Sequence, residues 1–167
     1  MGEAGILAPD ERVELIDGEI IQMTPIGPAH ASIVNLLDRR LQAVVQDRAI
    51  VSTQNPILLD SHSEPQPDIA LLRLREDWYR QALPTTKDIL LVIEVADSSV
   101  EYDRKEKIPQ YARHAIAEVW LVDVSQDSLT IFSNPTSGSY ASVRIVQDLA
   151  HVPLPFFELA VDLTSIF

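Results

Sequence analysis

The stretch Asp88-Ile89-Leu90-Leu91-Val92-Ile93-Glu94-Val95-Ala96 decides the fold. From Ile89 to Ala96 it is apolar everywhere but at Glu94, so both faces need cover, and a central strand between two layers answers that need. Upstream, Pro65-Gln66-Pro67 is a stiff loop that leads into a second short apolar strand, Asp68–Leu72. Before that, Ile33, Leu36, Leu37, Leu41, Val44 and Val45 recur at helical spacing behind the Gly27-Pro28 breaker, which predicts an amphipathic helix over about 29–46. Downstream, Ser98-Ser99-Val100-Glu101 has the form of a capping box and predicts a helix from about Ser99 to Ala115, either kinked by Pro109 or split there into two.

The outer segments extend this core. Residues 12–23 are two β-prone runs around Asp17-Gly18, a dipeptide suited to a type I′ hairpin turn. Ile50–Leu59 reads as extended with a break at Asn55-Pro56, and Asp77–Leu83 as a helical turn. Glu118–Val124, Ser128–Ser133 and Ser139–Val146 read as strands, and Phe156–Leu163 as a last extended piece. The order of elements predicts an α/β (α+β) fold: a central mixed sheet flanked by helices, with an N-terminal hairpin and extra C-terminal strands. Residues 1–167 are expected to form one domain, with 1–10 as a flexible or loosely packed lead-in.

Composition removes several classes of protein. With 46% apolar and 23% charged residues, disordered, collagenous and low-complexity chains are excluded. No apolar run reaches membrane-spanning length, and the first residues lack the basic and apolar regions of a signal peptide, so a cytoplasmic protein with no membrane partner is expected. The absence of cysteine excludes disulfides, thiol chemistry and cysteine-bound zinc. Thirteen basic against 25 acidic residues leave a formal charge of −12, which argues against a surface that grips nucleic acid all over. Arg39, Arg40, Arg73, Arg75, Arg80, Arg104, Lys105, Lys107 and Arg113 nevertheless crowd the middle of the chain. They are either scattered solvated charges or, if the fold gathers them, one locally positive cleft.

Glu94 is the most informative polar residue. A carboxylate inside such a strand loses its hydration, at a cost of several kcal/mol, unless a cation or donors meet it. An ion pair or a strand end open to water would satisfy it; so would a metal. Asp68, at the start of the neighbouring strand, could be simple turn chemistry after proline. Taken with Glu94, it makes an oxygen-rich pocket suited to a hard divalent ion such as Mg²⁺. With no cysteines and no histidines paired at ligand spacing, no zinc site is expected.

Pro67-Asp68, a strand, then Glu94, on an αβββαβ order, resembles the PD-(D/E)XK superfamily of restriction-endonuclease-like nucleases. Glu14-Leu-Ile-Asp-Gly-Glu19, His30, Pro67-Asp68, Ile93-Glu-Val95, Asp103-x-x-x-Lys107-x-x-x-Tyr111 and Glu118-Val-Trp-Leu-Val-Asp123 resemble more closely its Uma family, over about residues 11–165. The superfamily places a lysine two residues after the glutamate, on the same face of the strand. Here that position is Ala96. The Uma resemblance implies that the cation has moved to Lys107, which shares a helical stripe with Asp103 and Tyr111; Lys105 is the alternative, although it lies about 200° away around an α-helix.

The resemblance implies hydrolysis of a phosphodiester with Mg²⁺ or Mn²⁺ as cofactor. Asp68, Glu94 and the Val95 carbonyl would hold the ion, and Lys107 would serve the attacking water or the developing charge. Glu14 either joins the carboxylates or lies on a solvated hairpin face. His30 either faces the phosphate or caps the first helix, and Gln54 is placed to point into the same cleft. Trp78, Tyr79 and Trp120 read as core or interface rather than base-stacking residues. DNA is the leading substrate. The alternatives are a catalytically silent interaction module and a metal-dependent phosphoesterase acting on a small molecule. A homodimer through the strands between Ser128 and Val146 is also expected.

Overall fold

The computed structural model describes residues 12–167; the expectation made for residues 1–10 lies outside them. Strands β1 (Val13–Ile16) and β2 (Glu19–Gln22) form the N-terminal hairpin. Asp17 and Gly18 both take positive φ, 49° and 84°, as a type I′ turn requires. Helix α1 (Pro28–Val45) begins with Pro28 in its first turn, where a missing N–H costs nothing. Then come β3 (Ile50–Thr53), β4 (Ile69–Leu72) and β5 (Ile89–Ala96). A composite helix, α2, occupies residues 100–113, and is followed by β6 (Glu118–Asp123), β7 (Ser128–Thr136) and β8 (Ser139–Ile145). The short β9 (Val152–Pro153) and β10 (Ala160–Val161) pair with each other.

The main sheet has the order β3-β4-β5-β6-β7-β8. Every neighbouring pair is antiparallel except β5 and β6, the parallel pair that α2 connects. The strand that organised the sequence therefore lies inside the sheet with a layer on each face. Leu91, Ile93 and Val95 point toward α1, against Ile33, Val34, Leu37 and Leu41. Val92 and Ala96 point the other way, toward Ile108, Tyr111 and Ala112 of α2. By strand alternation Glu94 belongs to the α2 side. Among the described residues no helix is long and apolar enough to cross a membrane.

The structure corrects four expectations. Helix α2 is not a continuous, capped α-helix. Val100–Tyr102 is α, Asp103–Lys107 is a π turn whose end is marked by the Ile108 N–H bonding to the Asp103 carbonyl, and Ile108–Arg113 is α again. Pro109 has no N–H to offer the preceding turn, and the wider π turn accommodates this defect. The capping box does not form either: the N-cap is Ser99 rather than Ser98, and the Ser99 side chain caps no backbone N–H but donates from Oγ to Asp103 Oδ2 at 2.8 Å.

Residues 77–83 are turns rather than a helical turn. The Asp77 carboxylate accepts from the Tyr79 and Gln81 N–H groups, and Trp78 and Tyr79 take positive φ, 51° and 59°, which no right-handed helix accommodates. The extended segments at 50–59 and 156–163 are mostly irregular. Regular pairing stops at Thr53, where Gln54 turns to φ 53°, and resumes near the C-terminus only at Ala160, after Phe157 and Glu158 at positive φ. Trp120 is fully buried in the core, whereas Trp78 is 72% exposed.

Candidate active site

The ends of β4 and β5, the first turn of α1, the π turn of α2 and the N-terminal hairpin enclose an open cleft of about 360 Å³. Asp68, Glu94, Glu14, Asp103, Lys107 and His30 all line it.

Glu94 is 3% exposed, and one of its oxygens, Oε1, meets two groups from α2. Lys107 Nζ lies at 2.8 Å and the Tyr111 hydroxyl donates at 2.6 Å. Lys107 is itself buried and reaches Glu14 Oε2 at 3.3 Å, and that carboxylate also accepts from the Gln66 N–H at 3.2 Å. Lysine, glutamate and tyrosine can meet because the helical stripe faces the side of β5 on which Glu94 projects. Ala96, which follows Glu94 on that side, leaves the space free for a lysine arriving from the helix.

Asp68 lies beside this group. Its Oδ2 accepts from the Val95 N–H at 2.9 Å and faces His30 Nε2 at 3.1 Å, while Oδ1 accepts from Gln54 Nε2 at 3.3 Å. The hydrogen bond to Val95 ties the aspartate directly to the residue after Glu94.

The electrostatics follow from burial and from the shortage of cations. Glu94 is pushed up to about 8, chiefly by burial, with Lys107 pulling it down and Asp103, Asp68 and Glu14 adding repulsion. Asp103 is pushed up to about 6, again mainly by burial. Burial works against the charge on Lys107, but Glu94, Glu14 and Asp103 together raise it well above the ordinary lysine value. Asp68 stays below the usual carboxylate range despite its burial, because the bond and charge of His30 and the Val95 N–H favour its ionised form. One buried lysine thus serves several carboxylates, and the cleft keeps an excess of negative charge.

This donor set fits a hard divalent ion in chemistry: carboxylate oxygens, a nearby main-chain carbonyl and surplus negative charge. Among the described residues no three His, Asp or Glu side chains form a ready-made cage.

The structure brings Asp68, Glu94, Lys107, Glu14, His30 and Asp103 to one cleft; Gln54 and Tyr111 do not line it but stand behind it, bonded to Asp68 and to Glu94. Lys105 stays outside, with its side chain 71% exposed and paired with Glu101 at 2.7 Å. The central basic residues do not gather around the cleft. Arg40, Arg75 and Arg113 pair with Asp162, Asp77 and Asp17, and Arg12 and Lys107 are the lysine or arginine side chains in its wall. Sequence reasoning missed Gln110, which is fully buried and donates from Nε2 to Ser63 Oγ at 2.8 Å and Asp17 Oδ1 at 3.2 Å, tying the hairpin to α2. It also missed Arg12 and Tyr102 in the cleft wall. Position 102 directly precedes the acid–base stripe, but nothing in its type marked it out.

A layered mixed sheet with this arrangement of acids at the ends of adjacent central strands defines the restriction-endonuclease-like class of fold. The fold matches the crystal structure of "a putative nuclease belonging to DUF820 from Anabaena variabilis", with a TM-score of 0.74, 18% identity, and coverage of 99% of this chain and 94% of that one. The family model Uma2, described as "Putative restriction endonuclease", matches residues 4–164. The chain belongs to the Uma2 family. No curated protein matches it.

Proposed function

We propose that this protein is a divalent-metal-dependent nuclease that hydrolyses phosphodiester bonds, with DNA as its substrate. The observation that carries this reading is the convergence on buried Glu94 of Lys107 and Tyr111, next to an ionised Asp68 that is hydrogen-bonded to Val95. Asp68, Glu94 and the Val95 carbonyl are the groups that would hold Mg²⁺ or Mn²⁺. When bound there, such an ion polarises the phosphate and makes a coordinated water a stronger acid. Lys107 supplies a fixed positive charge in a dry setting, where it acts on the attacking water or on charge developing at the phosphate. Tyr111 fixes Glu94 Oε1, and Glu14 holds Lys107 from the opposite side.

Further expectations go with this reading. Family membership supports nucleic acid as the substrate class. The small number of basic groups in the cleft favours, as the second reading, a small phosphodiester that needs no long basic track. A homodimer would form along the outer strand β8, where Val143 and Ile145 are 57% and 60% exposed. The cytoplasm is the proposed compartment.

The first test offers plasmid DNA, single-stranded DNA, RNA and a chromogenic phosphodiester to the purified protein, with Mg²⁺, Mn²⁺ or a chelator. Cleavage is expected with metal, and is expected to vanish with chelator and in Asp68→Asn and Glu94→Gln. Cleavage that survives in chelator or in both variants would show that the activity is not housed in this cleft.

A further inference from the structure

A second pocket, of about 370 Å³, lies beside β3, the edge strand of the main sheet. Leu72 and Pro84 give it apolar surface, Ser52 and Asn55 polar groups, and Trp78 and Tyr79 aromatic rings; among the described residues no acidic side chain lines it. Trp78 is open to solvent, so its indole contributes little to the core. The turn that carries it is firmly held. Arg75 grips Asp77 through two bonds and lies over the Tyr79 ring, 4.2 Å from its centre, while the Asp77 carboxylate accepts from the Tyr79 and Gln81 N–H groups. These bonds maintain two successive positive φ values, at Trp78 and Tyr79, in a turn that presents the indole outward.

Charge around this pocket is the reverse of that in the cleft. Between residues 73 and 88 the exposed charges are Arg73, Arg80 and Lys87 against Glu76. Among the described residues these three cations pair with no carboxylate. Arg73 and Lys87 stand together, joined by a bond from Arg73 Nε to the Lys87 carbonyl at 3.0 Å, and Arg73 and Arg80 directly follow the lining residues Leu72 and Tyr79. The pocket also adjoins the cleft: Gln54, bonded to Asp68, is followed by Asn55 in the pocket lining. From Gln54 back along β3 to Ile50 is about 13 Å, which a strand crosses in about four nucleotides or fewer at 3.4 Å or more each. An aromatic face, an uncharged lining and surrounding cations suit a base and its phosphates. A purely apolar partner would leave the cations unused.

We propose that this pocket is a second nucleic-acid contact, in which Trp78 stacks on an unpaired base of a strand that reaches the cleft, while Arg73, Arg80 and Lys87 meet the flanking phosphates. The inference rests on nucleic acid as the substrate class in the reading above and deepens it by giving the strand a path outside the acidic cleft. It revises the expectation of a core or interface role for Trp78.

The test is made in chelator, where metal-dependent cleavage is absent, with a short single-stranded oligothymidylate as the probe. Trp120 is fully buried, so intrinsic fluorescence reports contact at Trp78. Quenching is expected with the oligonucleotide and not with an abasic strand of the same length. By anisotropy, Trp78→Ala should weaken binding at least ~5-fold while Trp78→Phe, which keeps an aromatic face, retains most of it. The double variant Arg73→Gln and Arg80→Gln should make the log–log salt slope shallower by about 1.4. Equal quenching by the abasic strand, unchanged affinity in Trp78→Ala or an unchanged salt slope would overturn the proposal. So would an emission shift that follows protein concentration and ignores oligonucleotide, since a second copy of the chain would then cover the pocket. Plasmid cleavage with Mg²⁺ in a protein that shows no quenching would remove this contact and leave the nuclease reading; quenching without any metal-dependent cleavage would remove the nuclease reading and leave the contact.

Discussion

Lys107 is the counter-ion on which the buried charges depend. Without it Glu94, Glu14 and Asp103 face one another out of water, so in the metal-free protein Lys107→Met is expected to cost ~3–5 kcal/mol, read as a fall in the urea midpoint. Turnover should fall by orders of magnitude, since among the described residues no other lysine or arginine pairs with Glu94. Lys105→Met should leave both stability and turnover unchanged, because its ammonium is held in solvent by Glu101. The opposite ranking of the two variants would transfer the catalytic cation to Lys105. Glu118 offers a second residue-level test, away from the cleft. Burial lifts its carboxyl above the ordinary glutamate value of 4.5, while a 2.6 Å bond from the Trp120 indole and the charge of Arg144 work the other way. A carboxyl raised by folding contributes stability that is complete below its unfolded value and is lost as pH climbs through its folded one. Glu118→Gln keeps an acceptor for the indole, so Tm should rise at pH 7 and stay unchanged near pH 3.5. An equal shift at both pH values would mean that the charge plays no part.

At the level of elements, the hairpin is the simplest piece to test. Gly18 sits at φ 84° with nothing within 4 Å of where a Cβ would project, so Gly18→Ala adds backbone strain and no clash. The expected cost is ~1 kcal/mol with cleavage unaffected, measured by urea unfolding and the plasmid assay. A variant as stable as wild type would show that the turn relaxes. The hairpin was readable in the sequence because Asp-Gly has few other uses between two β-prone runs. Strands β4, β5 and β6 were readable because burial on both faces leaves a continuous apolar run, and against that run a lone Glu94 stands out. Asp68 stood out as a second acid on a neighbouring strand once Glu94 was singled out, whereas the stripe from Asp103 to Tyr111 was singled out by the Uma resemblance. The π turn was not readable: it arises from the missing donor of Pro109 together with the attraction of Lys107 to acids on other elements. The capping box misled because the helix starts one residue late for it: Ser99, not Ser98, stands at the N-cap, and Glu101 is turned to Lys105. Gln110 was hidden for a different reason: its partners lie 93 and 47 residues away in the chain, and only the folded topology brings them together.

For the whole molecule, a formal charge of −12 and a cleft with few basic groups set how a polyanion would be received. DNA affinity, followed by fluorescence anisotropy, should be weak in chelator and rise on adding Ca²⁺. Its salt dependence should be shallow, since each neutralised phosphate contributes a slope of about −0.9 in log–log form. A steep slope in chelator would reveal a basic track elsewhere on the surface. The cleft's two sides have separate origins. Asp68, Glu94 and Asp103 at its floor belong to the sheet and to α2, whereas Glu14 and the wall that includes Arg12 and Ile21–Gly27 belong to the hairpin and the strap that follows it. That wall stands outside the main sheet and is moored by main-chain bonds between Leu15 and Glu64 and by the grip of Gln110 and Arg113 on Asp17. It is, in effect, an interchangeable cassette. On the nuclease reading proposed above, residues 12–27 from another family member, grafted here with Glu14 and Asp17 kept, are expected to redraw which substrates are admitted while Asp68, Glu94 and Lys107 stay in place, so that one scaffold diversifies its diet without reinventing its chemistry.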